Sequence, residues 1–369
     1  MRLPSPRIEI DLAKIEDNSR SLVTRLAHRE IEVTGVTKAV LGLPAVAEAM
    51  LAGGVTRLGD SRLANLVRLR ESGVDAATML IRSPTPDEAD RAIAVASISL
   101  VSEPSVVRAL SAAAGRAGLV HEVILMVELG DLREGVLAAD LLPLARVAAS
   151  LPGLRLVGLG TNLACRNGVD PGPPQMIELV DLARQIRTEL DLALPLISGG
   201  NSANLTWALA GHTPSGITDL RIGEAILLGT DPVRGVPIDG LHTDAFTLVA
   251  SVIESLEKPS MPWGERGFDS FGGVPTVADR GRIVQTIVSL GRQDVELEGL
   301  APPHGISVLG ASSDHLVLET STRLEPGVEL RFHLGYGGLL RAMTSPYVAV
   351  EVAISEGDAK RQPVASPLG

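Results

Sequence analysis

Cysteine is nearly absent: Cys165 is the only one in 369 residues. An intrachain disulfide is therefore impossible, stability must come from a packed core, and a lone thiol suits a reducing compartment. Aromatics are almost as scarce, at 2%, which removes the stacking platforms that bind single-stranded nucleic acid. Basic residues are outnumbered, 33 Lys and Arg against 44 Asp and Glu, for a net charge of -11. A duplex-binding face needs the opposite balance. No uninterrupted apolar run is long enough to span a bilayer. Residues 1–12 carry charges and prolines where a secretory signal would carry an apolar core. These absences predict a cytoplasmic protein that binds neither nucleic acid nor membrane. The seven histidines show no metal-ligand spacing, so no metal is expected.

What is present is apolar and periodic. Hydrophobic residues make up 45% of the chain, enough to bury two domains, or one large barrel with an appendage. Strand-like runs fall at 31–40, 55–59, 77–81, 98–101, 122–129, 154–161, 194–198 and 220–228. Helical stretches separate them at 44–52, 61–71, 86–96, 104–117, 139–150, 174–190 and 202–210. Strands that are apolar on both faces and joined by amphipathic helices predict a parallel sheet covered by helices. Eight such units over about 200 residues favour a closed TIM (β/α)8 barrel over an open doubly wound sheet.

Past Gly229 the texture changes. Residues 230–240, rich in Pro, Gly and Asp, read as a linker. Runs at 246–253, 283–290, 305–309, 316–320, 328–334 and 347–354 then alternate with turns and no long helix, which predicts a smaller all-β domain. The opening RIEID, residues 7–11, is also strand-like and precedes a helix over 12–27. The expected division is a barrel over 12–230 and a β domain over 231–369, joined by strand 7–11.

Barrels of this kind work at the C-terminal ends of their strands, and the polar residues gather there. The first strand delivers Lys38, the second Asp60, the third Arg82. The fifth ends with Glu128 and Arg133, the sixth with Thr161 and Asn162. The seventh runs into Ser198-Gly199-Gly200-Asn201-Ser202, and the eighth carries Arg221 followed by Gly223 and Glu224. A lysine at the end of a buried strand is costly to desolvate, and desolvation turns its amine into a nucleophile that can form a Schiff base. The glycine-bounded turn before a helix, with Ser202 as its cap, suits a phosphate. Lysine facing phosphate cradle suggests pyridoxal 5'-phosphate, with Arg221 opposite the pyridine nitrogen. Guanidinium does not give up its proton, so the ring nitrogen stays unprotonated and proton exchange at the α-carbon is favoured. Cys165 reads as a small buried residue. Asp60 and Arg82 read as substrate contacts or partners of neighbouring groups.

The segments RIEIDLAKIEDN, VTKAV, LRIGEAILLG, GRQDV, GASSDHL and LLRAMTSPYV together resemble the fold-type III pyridoxal-phosphate enzymes. They are most similar to the ornithine racemase branch of the alanine racemase group. The resemblance implies that Lys38 holds the cofactor and acts as base on one face. Arg221 would face the ring nitrogen, Arg133 the phenolic oxygen and Asn162 the ring, with Asn201, Ser202, Gly223 and Glu224 at the phosphate. It implies a head-to-tail homodimer whose β domains complete each other's active sites. Racemisation needs a second acid/base on the opposite face. The family's tyrosine would fall near 267–269, where this sequence has none, so Tyr336 is the choice, with Asp269, Asp314 and His315 as alternatives. The tyrosine that follows the lysine in alanine racemases is replaced by Gly42, which leaves room for a larger substrate. The expected activity is racemisation of ornithine or another basic amino acid. The rival readings are a fold-type III decarboxylase, which sets a carboxylate against the ring nitrogen, and a non-catalytic cofactor carrier, which lacks a β domain.

Overall fold

The computed structural model describes residues 5–210, 215–274, 276–353 and 361–364. Contacts divide the chain into two compact units. One is Ala13–Thr243; the other joins the opening segment up to Leu12 with everything from Asp244 onward.

After the opening strand β1 (Arg7–Asp11), eight strands close a parallel barrel. They are β2 (Glu32–Val36), β3 (Arg57–Asp60), β4 (Ala77–Leu80), β5 (Ile98–Val101), β6 (His121–Met126), β7 (Leu154–Gly160), β8 (Leu196–Ser198) and β9 (Asp219–Ile222). Closure is made by β2 on β9, with Thr34 opposite Arg221 and Gly35 opposite Ile222. Apolar side chains from β4 to β7 fill part of the interior: Met79, Ile98, Leu100, Ile124, Met126 and Val157 form one buried cluster. Such an interior is a packed core rather than a pore. The surrounding helices bury one stripe each. Helix Pro104–Ala117 buries Val106, Val107, Leu110, Ala113 and Ala114, begins at a proline and ends at Gly118 in the left-handed conformation. Both end signals follow from backbone geometry alone.

Two strand expectations are corrected at their ends. The run 31–40 stops being a strand at Val36, and Lys38–Val40 is a 3-10 turn. The run 220–228 is a strand only to Ile222; Glu224–Leu228 is helical. Gly223 makes that break, because its Cα lies against Val36, where a Cβ would stand 3.1 Å from Val36 Cβ and 3.2 Å from Val36 O. The apolar segment after it is buried on every side, so no periodicity distinguishes helix from strand.

In the other unit β1 lies inside the sheet. It pairs antiparallel with Phe246–Pro259, Ile8 opposite Leu248, and parallel with Ala349–Ala353, Ile8 opposite Val350. Antiparallel strands Arg282–Val288, Leu316–Thr320 and Ser307–Ala311 extend the sheet, and Glu329–Leu334 pairs with Phe246–Pro259. The β reading of this region misses one helix, Tyr336–Thr344, which buries Gly338, Leu339, Ala342 and Met343 at helical spacing. Its start, Gly335-Tyr336-Gly337-Gly338, looks like a turn because glycine opposes helix in isolation.

Candidate active site

Lys38 stands two residues beyond β2, half-buried, at the start of its 3-10 turn. The preceding Thr37 organises that turn. Its N–H donates to Gly59 O (3.0 Å), and its carbonyl accepts from Val40 N (3.0 Å) and Gly42 N (3.2 Å). The chain then reverses through Leu41 and Gly42, both left-handed. A Cβ on Gly42 would lie 2.8 Å from the Asn65 carbonyl oxygen, so both the backbone and the space call for glycine there. Because β2 and β9 are neighbours, the segments leaving them run side by side. Glu224 lies in the field of Lys38: burial pushes its carboxyl up to about 7, against the pull of the Lys38 charge.

Arg221 is buried inside the barrel mouth. Nη2 donates to Thr161 O (2.6 Å), and Nη1 donates to Ser198 Oγ, whose own proton goes to Asp219. A hydroxyl has one proton, so the direction of this chain is fixed: guanidinium to hydroxyl to carboxylate. Asp219 is wholly buried and also accepts from Thr34 Oγ1 (2.6 Å) and Arg57 Nη2 (3.2 Å). Burial holds the Arg221 pKa below the ordinary guanidinium value, with Asp219 and then Glu134 opposing it. Guanidinium carries five N–H donors, so donors remain for a ligand. Asp219 and Arg221 are two apart on one strand and therefore share a face, a spacing visible in the sequence itself.

The loops after β6 and β7 come to Arg221, which feels the charges of Glu134, Arg133 and Cys165. Glu128 shapes the first loop by accepting from the backbone N–H groups of Gly130 (2.5 Å), Leu132 (3.0 Å) and Arg133 (3.0 Å). Arg133 itself pairs with Glu134 at 2.7 Å. Asp131 ties the loops together, accepting from the backbone of Cys165 (3.3 Å), Arg166 (3.0 Å) and Asn167 (3.0 Å). Burial pushes its carboxyl up, and these donors outweigh it and hold the pKa low.

Asn162 accepts from Asn201 Nδ2 (3.2 Å) and donates to Cys165 Sγ (3.0 Å). Cys165 is exposed, against the expectation of a buried residue; its backbone N–H is held by Asp131. Asn201 caps the turn Ser202–Asn204 by accepting from Ala203 N (2.8 Å) and anchors it to Leu163 O (2.8 Å). Ser202 Oγ accepts from Ala225 N (3.2 Å), joining this turn to the start of Glu224–Leu228. The first residues of helical turns carry N–H groups that the turn does not use, and here two such starts, at Ser202 and Glu224, are held together.

Lys38, Arg133, Asn162, Asn201, Ser202, Arg221, Gly223 and Glu224 therefore all stand at one end of the barrel. Tyr336 begins the helix of the other unit and is half-buried. Asp269 accepts from Phe271 N (2.9 Å) and Gly273 N (2.8 Å), and Asp314 pairs with His315 Nδ1 (2.8 Å); both carboxyls are held low by those bonds. Arg82 lies 3.9 Å from Glu88. Asp60 is fully buried among neighbours.

A half-buried amine, paired helical starts and an arginine with donors to spare fit a phosphorylated pyridine aldehyde, so the class defined is a (β/α)8-barrel pyridoxal-phosphate enzyme. The chain belongs to the alanine racemase family: residues 10–231 match the model for "Alanine racemase, N-terminal domain". It is 38% identical over 346 residues to the lysine racemase of Thermotoga maritima, covering 93% of this chain and 97% of that one. It is 36% identical over 352 residues to the ornithine racemase of Acetoanaerobium sticklandii, covering 94% and 99%. Among solved structures it resembles the alanine racemase of Clostridium difficile 630, with a TM-score of 0.75 at 16% identity over 100% of both chains, a likeness of fold.

Proposed function

We propose that this pyridoxal-phosphate-dependent amino-acid racemase interconverts the L and D forms of a basic amino acid, ornithine or lysine. The observation that carries the proposal is its likeness, over more than nine-tenths of its length, to racemases of those two amino acids. Bound at the barrel mouth, the cofactor supplies an electron-withdrawing ring that acidifies the α-proton of an attached amino acid.

In this reading Lys38 would hold the cofactor and serve as the acid/base for the α-proton on one face. Backbone N–H groups of Ser202, Gly223 and Glu224 hold the phosphate, on a turn kept in shape by Asn201. Arg221 donates to the ring nitrogen without surrendering its proton, which favours returning a proton to the α-carbon over moving it elsewhere. Arg133 faces the phenolic oxygen and Asn162 the ring. Tyr336, brought by the β unit of a second copy of the chain, would serve the opposite face. Asp269 and Asp314, both held ionised by hydrogen bonds, are poor donors at neutral pH, which favours the tyrosine over them; His315 is the remaining alternative.

A head-to-tail homodimer completes the site. Its support is a loop that exposes Trp263 and Phe268 at 83% and 79% in a chain with 2% aromatics, a surface suited to burial against a second copy. The single thiol supports a cytoplasmic setting.

The test is incubation of the cofactor-loaded protein with each enantiomer of ornithine, lysine and alanine in deuterium oxide, read by chiral chromatography and mass. Expected are loss of optical purity and α-deuteration of ornithine or lysine, faster than of alanine. Fastest turnover on alanine overturns the substrate assignment, and carbon dioxide release without racemisation points instead to a decarboxylase.

A further inference from the structure

Asp60 is a buried carboxylate for which the chemistry above has no use. It ends β3 with no exposure to solvent. Oδ2 accepts from Thr37 Oγ1 at 2.8 Å, and Oδ1 accepts from Arg62 N at 2.9 Å and Asn65 Nδ2 at 3.0 Å. A carboxylate in the interior is costly unless its oxygens are satisfied, and here both are. Burial pushes its pKa up, while the Arg62, Thr37 and Asn65 donors oppose.

The partners decide what the carboxylate is for. Thr37 is the residue before Lys38, and it caps the 3-10 turn that presents the amine. Lys38 lies beyond the end of β2 at Val36, in the 3-10 turn that Thr37 opens. Arg62 and Asn65 belong to the start of helix Leu63–Glu71, which also lies under Gly42, and Arg68 of the same helix donates to Leu41 O. One carboxylate therefore ties the lysine turn to a rigid helix at the turn's first residue, while Gly42 and Arg68 tie it at the last.

We propose that Asp60 is a positioning residue that acts through the Thr37 hydroxyl to hold Lys38 where it captures the cofactor's aldehyde. This rests on the reading that Lys38 is the residue that captures it. In that capture the neutral amine adds to the aldehyde carbon, a C–N bond forms, and the aldehyde oxygen leaves as water with both amine protons. The phosphate grip is built from other segments, so losing the Asp60–Thr37 bond weakens capture and spares non-covalent binding.

The experiment uses the full chain stripped of cofactor. Non-covalent binding is read by equilibrium dialysis of pyridoxamine 5'-phosphate, which has no aldehyde to capture, and capture by the rate at which cyanoborohydride fixes a pyridoxyl label from pyridoxal 5'-phosphate on the Lys38 peptide. Thr37→Val and Asp60→Asn are expected to bind within about twofold of the parent but to capture roughly 10-fold or more slowly, the scale of a misplaced reacting group. Thr37→Ser, which keeps the hydroxyl, is expected to capture at the parent rate. Should Asp60→Asn fail to fold, the Thr37 pair decides. Capture at the parent rate in Thr37→Val overturns the proposal, as do equal losses of binding and capture, or a Thr37→Ser as slow as the valine. A parent protein that takes no label on Lys38 overturns the underlying reading instead.

Discussion

Arg7 and Arg221 are buried to nearly the same degree, at 1% and 4% exposure, and they meet the cost of a buried cation differently. Arg7, in the β unit, is bidentate to Glu329 (2.7 and 2.9 Å), bonds Glu9 (2.7 Å) and lies 3.1 Å from Glu351. The bonds to Glu329 and then Glu9 hold its pKa above the ordinary guanidinium value in spite of burial. Its charge is spent inside the sheet, fastening β1 to strands Glu329–Leu334 and Ala349–Ala353. Arg221 donates to a carbonyl and a hydroxyl, and its carboxylate stands one group further away. Its field is left open toward the barrel mouth, and its pKa is displaced in the opposite direction. Fully paired, a buried arginine is architecture; incompletely paired at a barrel mouth, it is available to a ligand.

Substituting each arginine tests that contrast. Arg7→Ala leaves three carboxylates sharing a buried site, and breaking a buried ion cluster costs about 3–5 kcal/mol. Urea unfolding should show that loss; one below about 1 kcal/mol would mean Arg7 is no keystone. Arg221→Leu should do the reverse. Removing Arg221 leaves two buried acceptors, Ser198 Oγ and Thr161 O, unmet at a cost of about 1–3 kcal/mol, less than that of the Arg7 cluster, while the loss of an aimed donor lowers kcat by roughly 100-fold or more. If Arg221→Leu unfolds as readily as Arg7→Ala, the two arginines do the same job and the comparison fails.

The barrel was legible because its strands are apolar on both faces and its helices carry stripes, patterns that depend on local periods. Lys38 and Arg221 stand out in the sequence because charged side chains are costly to place at strand ends, and the structure sets both at one end of the barrel. What stayed hidden depends on register and approach across the chain. Ser198 looked like one more small residue of a glycine-rich turn, and only the pairing of β8 with β9 sets it between Arg221 and Asp219. Asp60 is visible as a strand end, yet its service to Thr37 depends on two neighbouring strands in register. Cys165 departs from the usual burial of a small, mildly apolar thiol, and the loop contact that holds it, its N–H on Asp131, spans 34 residues and leaves no local trace in the sequence.

Glu224 handles burial in a third way, and the smallest effect is expected there. With few partners it keeps its proton, and its pKa stands near 7 against an ordinary 4.5, driven by burial and moderated by Lys38. Between those values the folded chain holds a proton that the unfolded chain has lost. Its contribution to stability is therefore complete below pH 4.5 and lost as the pH rises through 7. After discounting for a partly exposed side chain, the effect is on the order of 1 kcal/mol. Glu224→Gln should flatten the unfolding free energy of the cofactor-free protein over that interval. An unchanged slope would assign it to other groups. A neutral carboxyl also has a consequence for the site, because the Glu224 backbone N–H is proposed to meet a phosphate, and a carboxylate on the same residue would repel it. Cofactor affinity should accordingly weaken above pH 7 in the parent and less so in Glu224→Gln, measured by dialysis. Unlike either arginine, this residue lowers the cost of its burial by holding its proton up to a pH of about 7.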